Sequence, residues 1–212
     1  MILTFHEKLY SIKVKILKSI KIYEEKRIII LIRILTEMVG KMGENKDQII
    51  NKAFELGQNY EKKNTGCAQS AIAAIFDALG IWNDDVFKAA SGLADGLGLT
   101  GDGSCGALVG GSMVIGYLFG REHKDFSSIT KPMKSYKLVK KLHDQYIKEY
   151  GSCRCHDVQK SLTGRTWNLW DVEELKKAIK PGGLLDHCPK LVGNIARLTT
   201  KIILENGYKP KE

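Results

Sequence analysis

The chain has 212 residues, with 33 Lys and Arg against 24 Asp and Glu, and its formal net charge is +9 at pH 7. This length allows one domain with a sizeable core, alone or with an extension. Residues 1–43 hold nine Lys and Arg against four Glu, so they carry +5 and the remaining 169 residues carry only +4. The balance gives no reason to expect a nucleic-acid partner.

The longest apolar run, at residues 28–35, contains Arg33. It falls far short of the roughly 20 residues that cross a bilayer, so we expect no transmembrane segment. The amino terminus lacks the apolar segment and cleavage site of a secretory signal, which predicts a cytoplasmic location. Five cysteines are too few for a disulfide scaffold and, in a reducing compartment, indicate metal, redox or catalytic use.

Residues 1–43 alternate Ile and Lys with poor helical phasing. We interpret them as a basic extension that is either helical or outside the native chain, with Met38 and Met42 as alternative starts of translation. A basic amphipathic helix at a membrane surface is the second interpretation. Residues 44–212 are predicted to form a single helical domain.

Clear helical spacing begins at residue 46 and predicts a first helix to about residue 63. Asn64 and Thr65 are suitable caps for a second helix, which begins at Cys67 and is stopped by Gly80. Asn83 is expected to cap a short third helix through residue 90.

Eight glycines follow between Gly92 and Gly111, and they predict a loop folded tightly around a site. Ser104 is placed to cap the next helix, which starts at Cys105 and is apolar nearly all round. It is too short to span a membrane, so it should be the buried central helix of a bundle, with Gly106, Gly110 and Gly116 allowing close packing.

The remaining pattern is helical as well. Pro132 starts a long helix that ends at Gly151, and Ser152 can cap a short helix that carries Cys155. Asp171 and Glu174 form a capping box, and Pro189 opens the last helix. The sequence therefore predicts an all-α bundle of about seven helices without strands.

Four of the five cysteines lie within about three residues of a predicted helix start: Cys67, Cys105, Cys155 and Cys188. The first turn of a helix offers free N–H groups and a partial positive charge, which stabilise a thiolate. We therefore expect Cys105 to titrate well below the ordinary thiol pKa of about 8.5. Packing alone is the alternative, because small Cys is often buried near helix ends.

The spacing argues against the commonest metal modules. No CxxC pair is present, and Cys153-Arg154-Cys155-His156 is one residue short of a haem-attachment motif. No GxxxxGK[ST] motif occurs, and no predicted strand precedes the glycine loop, which disfavours phosphate binding. Four converging thiols could hold an iron–sulfur cluster or form two disulfides, and the residues leave both open.

The motifs resemble a known family. Residues 105–110 read CGALVG and match CGAxxG, with GCAQ at 66–69, GSCRC at 151–155 and HCP at 187–189. Over about residues 46–205 the chain resembles the C_GCAxxG_C_C family of redox-active proteins. Residues 164–171 are also similar to the segment that precedes the last cysteine of that family.

The resemblance implies a redox role in which the four family cysteines, catalytic thiols or metal ligands, are Cys67, Cys105, Cys155 and Cys188. Cys153 is a substitute for Cys155, and Gly103, Gly106 and Gly110 would border the cofactor. Similarity to the amino-terminal part of split-Soret cytochromes adds weight to an iron–sulfur cluster.

The implied protein is a thiol-based or iron–sulfur oxidoreductase with a redox partner protein, and a homo-oligomer is compatible with it. The alternative is a non-redox helical module for metal binding or protein interaction.

Overall fold

A computed structural model describes residues 45–210, so the predictions made for residues 1–43 lie outside the described part. Within this range the chain forms α-helices joined by loops and short 3₁₀ turns, and its only β pairing is a bridge between Ser104 and Arg154. The helices are α1 (45–64), α2 (Cys67–Leu79), α3 (Asp84–Ala89), α4 (Gly106–Phe119), α5 (Met133–Tyr150), α6 (Cys155–Thr163), α7 (Val172–Ala178) and α8 (Cys188–Glu205). The predicted all-α class is confirmed, with eight helices where about seven were expected.

The core lies between α2, α4, α5 and α8. Nearly every residue of α2 is buried, because its small and branched apolar side chains face α4 on one side and α8 on the other. The helix α4 approaches α2 closely at Gly110, where a Cβ would overlap the carbonyl oxygen of Ala68. The predicted packing role of this glycine is therefore confirmed.

The helix α4 is less enclosed than its composition suggested. Its first turns are buried, but Gly116 has open space beside it and Tyr117 is exposed. The most buried helix is α2, whose five alanines let its neighbours pack closely.

Two predicted caps are confirmed. The Asn83 side chain accepts a hydrogen bond from the Val86 N–H at 2.9 Å. Asp171 accepts from the N–H groups of Glu173 and Glu174 at 2.8 and 3.1 Å. Such bonds satisfy N–H groups that a helix start leaves unpaired. The other half of the predicted capping box is absent, because Glu174 pairs with Arg165 and the Asp171 N–H donates to the Asn168 carbonyl.

The caps predicted for the helices that begin beside the cysteines are wrong. Gly66 is the residue before α2 and provides no side-chain cap. Cys105 itself precedes α4, while Ser104 takes part in the β bridge. Ser152 donates to Asp157 at 2.8 Å and accepts from the Arg154 N–H, so its hydroxyl lies just outside α6. At the starts of α4 and α6, backbone hydrogen bonds to residues distant in the sequence take the place of local caps.

Among the described helices, none combines the length and the apolar character that crossing a membrane requires.

Candidate cysteine site

The four cysteines singled out by the sequence all stand at helix starts. Cys67, Cys155 and Cys188 are the first residues of α2, α6 and α8, and Cys105 is the residue before α4. Cys67, Cys105 and Cys155 are buried, while Cys188 and Cys153 are half-buried, and all five are free thiols. The predicted link between cysteines and helix starts is confirmed.

The glycine loop has an unusual backbone. Five successive residues, from Asp95 to Leu99, have positive φ values between 46° and 72°. Left-handed backbone costs a non-glycine residue roughly 1–2 kcal/mol and normally occurs at single positions. Alternating glycine with Asp95, Leu97 and Leu99 reduces that cost, and this explains the density of glycine here. Strain of this kind persists only where the surrounding structure fixes it.

Backbone hydrogen bonds join this loop to the start of α6. The Cys155 N–H donates to the Gly103 carbonyl and the His156 N–H to the Gly101 carbonyl, both at 2.9 Å. In return, the Cys105 N–H donates to the Cys153 carbonyl at 2.8 Å. The main chain thereby brings the starts of α4 and α6 together, and with them Cys105 and Cys155.

Asp95 lies between two of the thiols. Its N–H donates to Cys67 Sγ at 3.5 Å, and its Oδ1 is 4.0 Å from Cys155 Sγ. Burial raises the pKa of this carboxyl above its ordinary value. A single loop residue therefore contacts cysteines that are 88 positions apart in the chain (155 − 67).

Negative charge on one thiol raises the pKa of another. Burial raises the pKa of Cys67, Cys155 and Cys188, and negative charge on Asp95 and on Cys105 raises each of them further. Cys188 also responds to Cys155, although it packs against the separate small core around Trp167. Charge on Asp95 and Cys105 therefore influences the pKa of each of the other three thiols.

The expectation of a lowered pKa at Cys105 is wrong for the free thiol. The N–H groups of Ala107 and Leu108 do act on the sulfur and lower its pKa, as a helix start should. Burial outweighs them, so the pKa of Cys105 is raised overall. Desolvation penalises a thiolate more than the first turn of a helix stabilises it.

Two buried polar groups beside the thiols lack partners. Glu61 Oε2 accepts no hydrogen bond, and burial raises the pKa of this carboxyl to about 7. The Tyr146 hydroxyl makes no bond of good geometry, yet it is close enough to Cys105 to lower the pKa of that thiol. Orphaned buried polar atoms of this kind point to a missing partner.

The three glycines predicted to border a cofactor have close neighbours. A Cβ on Gly106 would overlap Cys67 Sγ, and one on Gly103 would lie 2.8 Å from the Gly96 carbonyl oxygen. Gly110 faces Ala68 instead, one turn further into α4. Gly106 therefore lies against a cysteine sulfur, Gly103 belongs to the loop, and Gly110 serves helix packing; a cofactor role for them stays a prediction.

The donor set can be compared with a metal site. Between residues 45 and 210, no three His, Cys, Asp or Glu side chains stand close enough to share a single ion. The described residues present buried thiols beside N–H donors and two unpartnered polar atoms, without a preformed site for one ion.

Sequence reasoning missed Asp95, Glu61 and the buried Gln159 of α6. Glu61 continues the four-residue spacing of Ala53 and Gly57 on the buried face of α1, and this spacing could have identified it. Asp95 carries no such signal, because its position depends on the left-handed loop. Gln159 lies one turn after Cys155, so i, i+4 spacing places it beside that sulfur.

Fold and site together define an all-α domain with four cysteines at helix starts and a strained glycine loop that contacts Cys67 and Cys155. The chain belongs to the family described as "Putative redox-active protein (C_GCAxxG_C_C)", whose model matches residues 65–202. The family suggested by the motifs is thereby confirmed, and the redox role is the functional statement its description carries. No curated protein and no solved structure matches the chain at a significant level.

Proposed function

We propose that the protein transfers electrons through an iron–sulfur cluster held by Cys67, Cys105, Cys155 and Cys188. The observation that carries this proposal is the contact of the buried Asp95 with Cys67 and Cys155, while backbone hydrogen bonds bring the start of α4, with Cys105, beside the start of α6. When bound, such a cluster supplies reversible one-electron chemistry whose potential depends on hydrogen bonds to sulfur and on burial.

The N–H donors around the thiols support this use. Cys67 accepts from the Asp95 N–H, and Cys155 accepts from the Gln159 side chain at 3.4 Å. Cys105 is acted on by the N–H groups that begin α4. N–H groups that donate to a sulfur stabilise negative charge on it. A metal-bound thiolate carries that charge, whereas a protonated thiol does not.

Charge balance points the same way. Deprotonating several thiols next to Asp95 in a dry site is costly, and their raised pKa values reflect that cost. Bound cations would offset it, because metal coordination removes the thiol proton outright. Two disulfides would also remove the charge, but they would leave the N–H donors without an anionic acceptor.

The test is anaerobic purification followed by measurement of iron and acid-labile sulfide. We expect a brown protein whose iron content falls by more than half when any one of the four cysteines is changed to Ser. Cys153→Ser is the matched control and should keep its iron. A colourless wild type without iron would overturn the proposal, and a loss of free thiols in pairs upon oxidation would then support disulfide chemistry.

The proposal includes a redox partner and a cellular location. A one-electron carrier protein would be the partner, and a cytoplasmic location suits a chain whose five cysteines are all free thiols. The non-redox alternative predicts that replacing all four cysteines leaves function intact. Oligomeric state can be measured directly by sedimentation.

A further inference from the structure

We infer that Gln159 is a positioning residue that holds the Cys155 sulfur and sets the reduction potential of the cysteine site; the inference rests on the proposed function. Gln159 lies on α6, one turn after Cys155, and its side chain is only 3% exposed. A buried amide must use both its ends, because an unpaired polar atom inside a protein costs about 1–3 kcal/mol.

The structure gives each end of this amide one partner. The Gln159 Nε2 donates to Cys155 Sγ at 3.4 Å, and Oε1 accepts from the Trp167 backbone N–H at 3.1 Å. A backbone N–H can only donate, so the oxygen of the amide must face Trp167. The nitrogen is thereby fixed toward the sulfur.

Trp167 itself is held in place. Its ring is buried, its Nε1 donates to the Thr163 hydroxyl at 3.2 Å, and the Arg165 guanidinium lies 4.3 Å above the ring. The Thr163 hydroxyl also donates to the Gln159 carbonyl at 3.0 Å. The segment after α6 therefore determines the amide orientation, and through it the donor that reaches Cys155.

The direction of the effect follows from charge. When the site gains an electron from a one-electron carrier protein, negative charge on the sulfurs increases and an N–H donor becomes more favourable. The donor from Gln159 therefore stabilises the reduced state and raises the reduction potential. Removing it lowers the potential without removing a ligand.

The test compares Gln159→Leu with wild type by redox titration of the iron-loaded protein. We expect the iron content to be kept and the reduction equilibrium to shift about tenfold toward the oxidised state, which is about 59 mV for one electron. Ser161→Ala is the matched control: Ser161 is exposed on the same helix and its hydroxyl takes no part in holding Gln159 or Trp167, so the potential of this variant should match wild type.

A second measurement does not depend on iron or on the variant folding. Hydrogen exchange of the Trp167 amide in the metal-free wild type should be slow, because Gln159 accepts that hydrogen. Fast exchange would overturn the inference, and so would an unchanged potential in an iron-loaded Gln159→Leu. A wild type that binds no iron would overturn the proposed function and this inference with it.

Discussion

At the scale of single residues, Glu61 makes the stability of the metal-free chain depend on pH. Burial raises its pKa from 4.5 to about 7, with Ser70 opposing the shift. Between these values the unfolded chain releases the proton while the folded chain keeps it, so stability falls as pH rises. It levels off above pH 7, where both states are ionised.

We predict that this loss amounts to about 2 kcal/mol between pH 5 and pH 8 in the metal-free chain, since one pKa unit corresponds to about 1.4 kcal/mol. Urea unfolding at both pH values measures it. Glu61→Gln should reduce the loss by about that amount, whereas Glu55→Gln, exposed on the same helix, should leave it unchanged. Equal pH dependence in wild type and Glu61→Gln would contradict the assignment.

Gly106 gives a second prediction at this scale. An alanine methyl group there would overlap Cys67 Sγ, and it would lie 2.9 Å from the Leu93 carbonyl oxygen. We expect Gly106→Ala to lower bound iron at least twofold, because Cys67 must move away to make room. Gly116→Ala, on the same helix with open space beside it, should leave the iron content unchanged. Iron retention in Gly106→Ala would show that the sulfur can shift freely.

Individual residues also show what sequence can reveal about the site. Cys188 could be assigned to a helix start because Pro189 beside it gives a local signal. The start at Cys67 was located from Asn64 and Thr65, although neither side chain caps α2. The pKa of Cys105 could not be predicted, because its burial depends on distant elements. Asp95 could not be predicted as a site residue for the same reason, because it contacts Cys67 and Cys155 only once the loop has folded.

At the scale of elements, the packing of α4 on α2 depends on Gly110. A Cβ there would overlap the Ala68 carbonyl oxygen, which belongs to the main chain of α2 and cannot rotate away. We predict that Gly110→Ala lowers the free energy of unfolding by about 2 kcal/mol, despite the gain in helix propensity. Chemical denaturation measures this.

Gly116→Ala is the control for this change too. It gains the same propensity without the overlap, so it should stabilise the protein by up to about 1 kcal/mol. Equal stability changes in the two variants would mean that α4 can move away from α2.

The helices were predictable because their signals are local, and their arrangement was not. Caps at Asn83 and Asp171 and the apolar spacing of α8 identify helices from neighbouring residues alone. The bridge that joins Ser104 to Arg154 links the glycine loop to α6 over a distance of 50 residues (154 − 104). A periodic sequence pattern does not predict such a contact. The bridge nevertheless determines that Cys105 and Cys155 lie near each other.

At the scale of the whole molecule, we predict that residues 44–212 fold and load iron without the basic extension. In the described part of the chain the buried apolar residues run from Ala53 to Leu204, and all five cysteines lie within that span. A chain beginning at residue 44 should match the full chain in iron per protein and in melting temperature to within about 3 °C, which corresponds to about 1 kcal/mol for a domain of this size. Calorimetry and iron analysis of both chains test this. A melting temperature more than 10 °C lower, or the loss of iron from the shorter chain, would show that residues 1–43 support the cysteine domain. If both chains keep their iron, the extension is free to serve a separate role through its excess of positive charge.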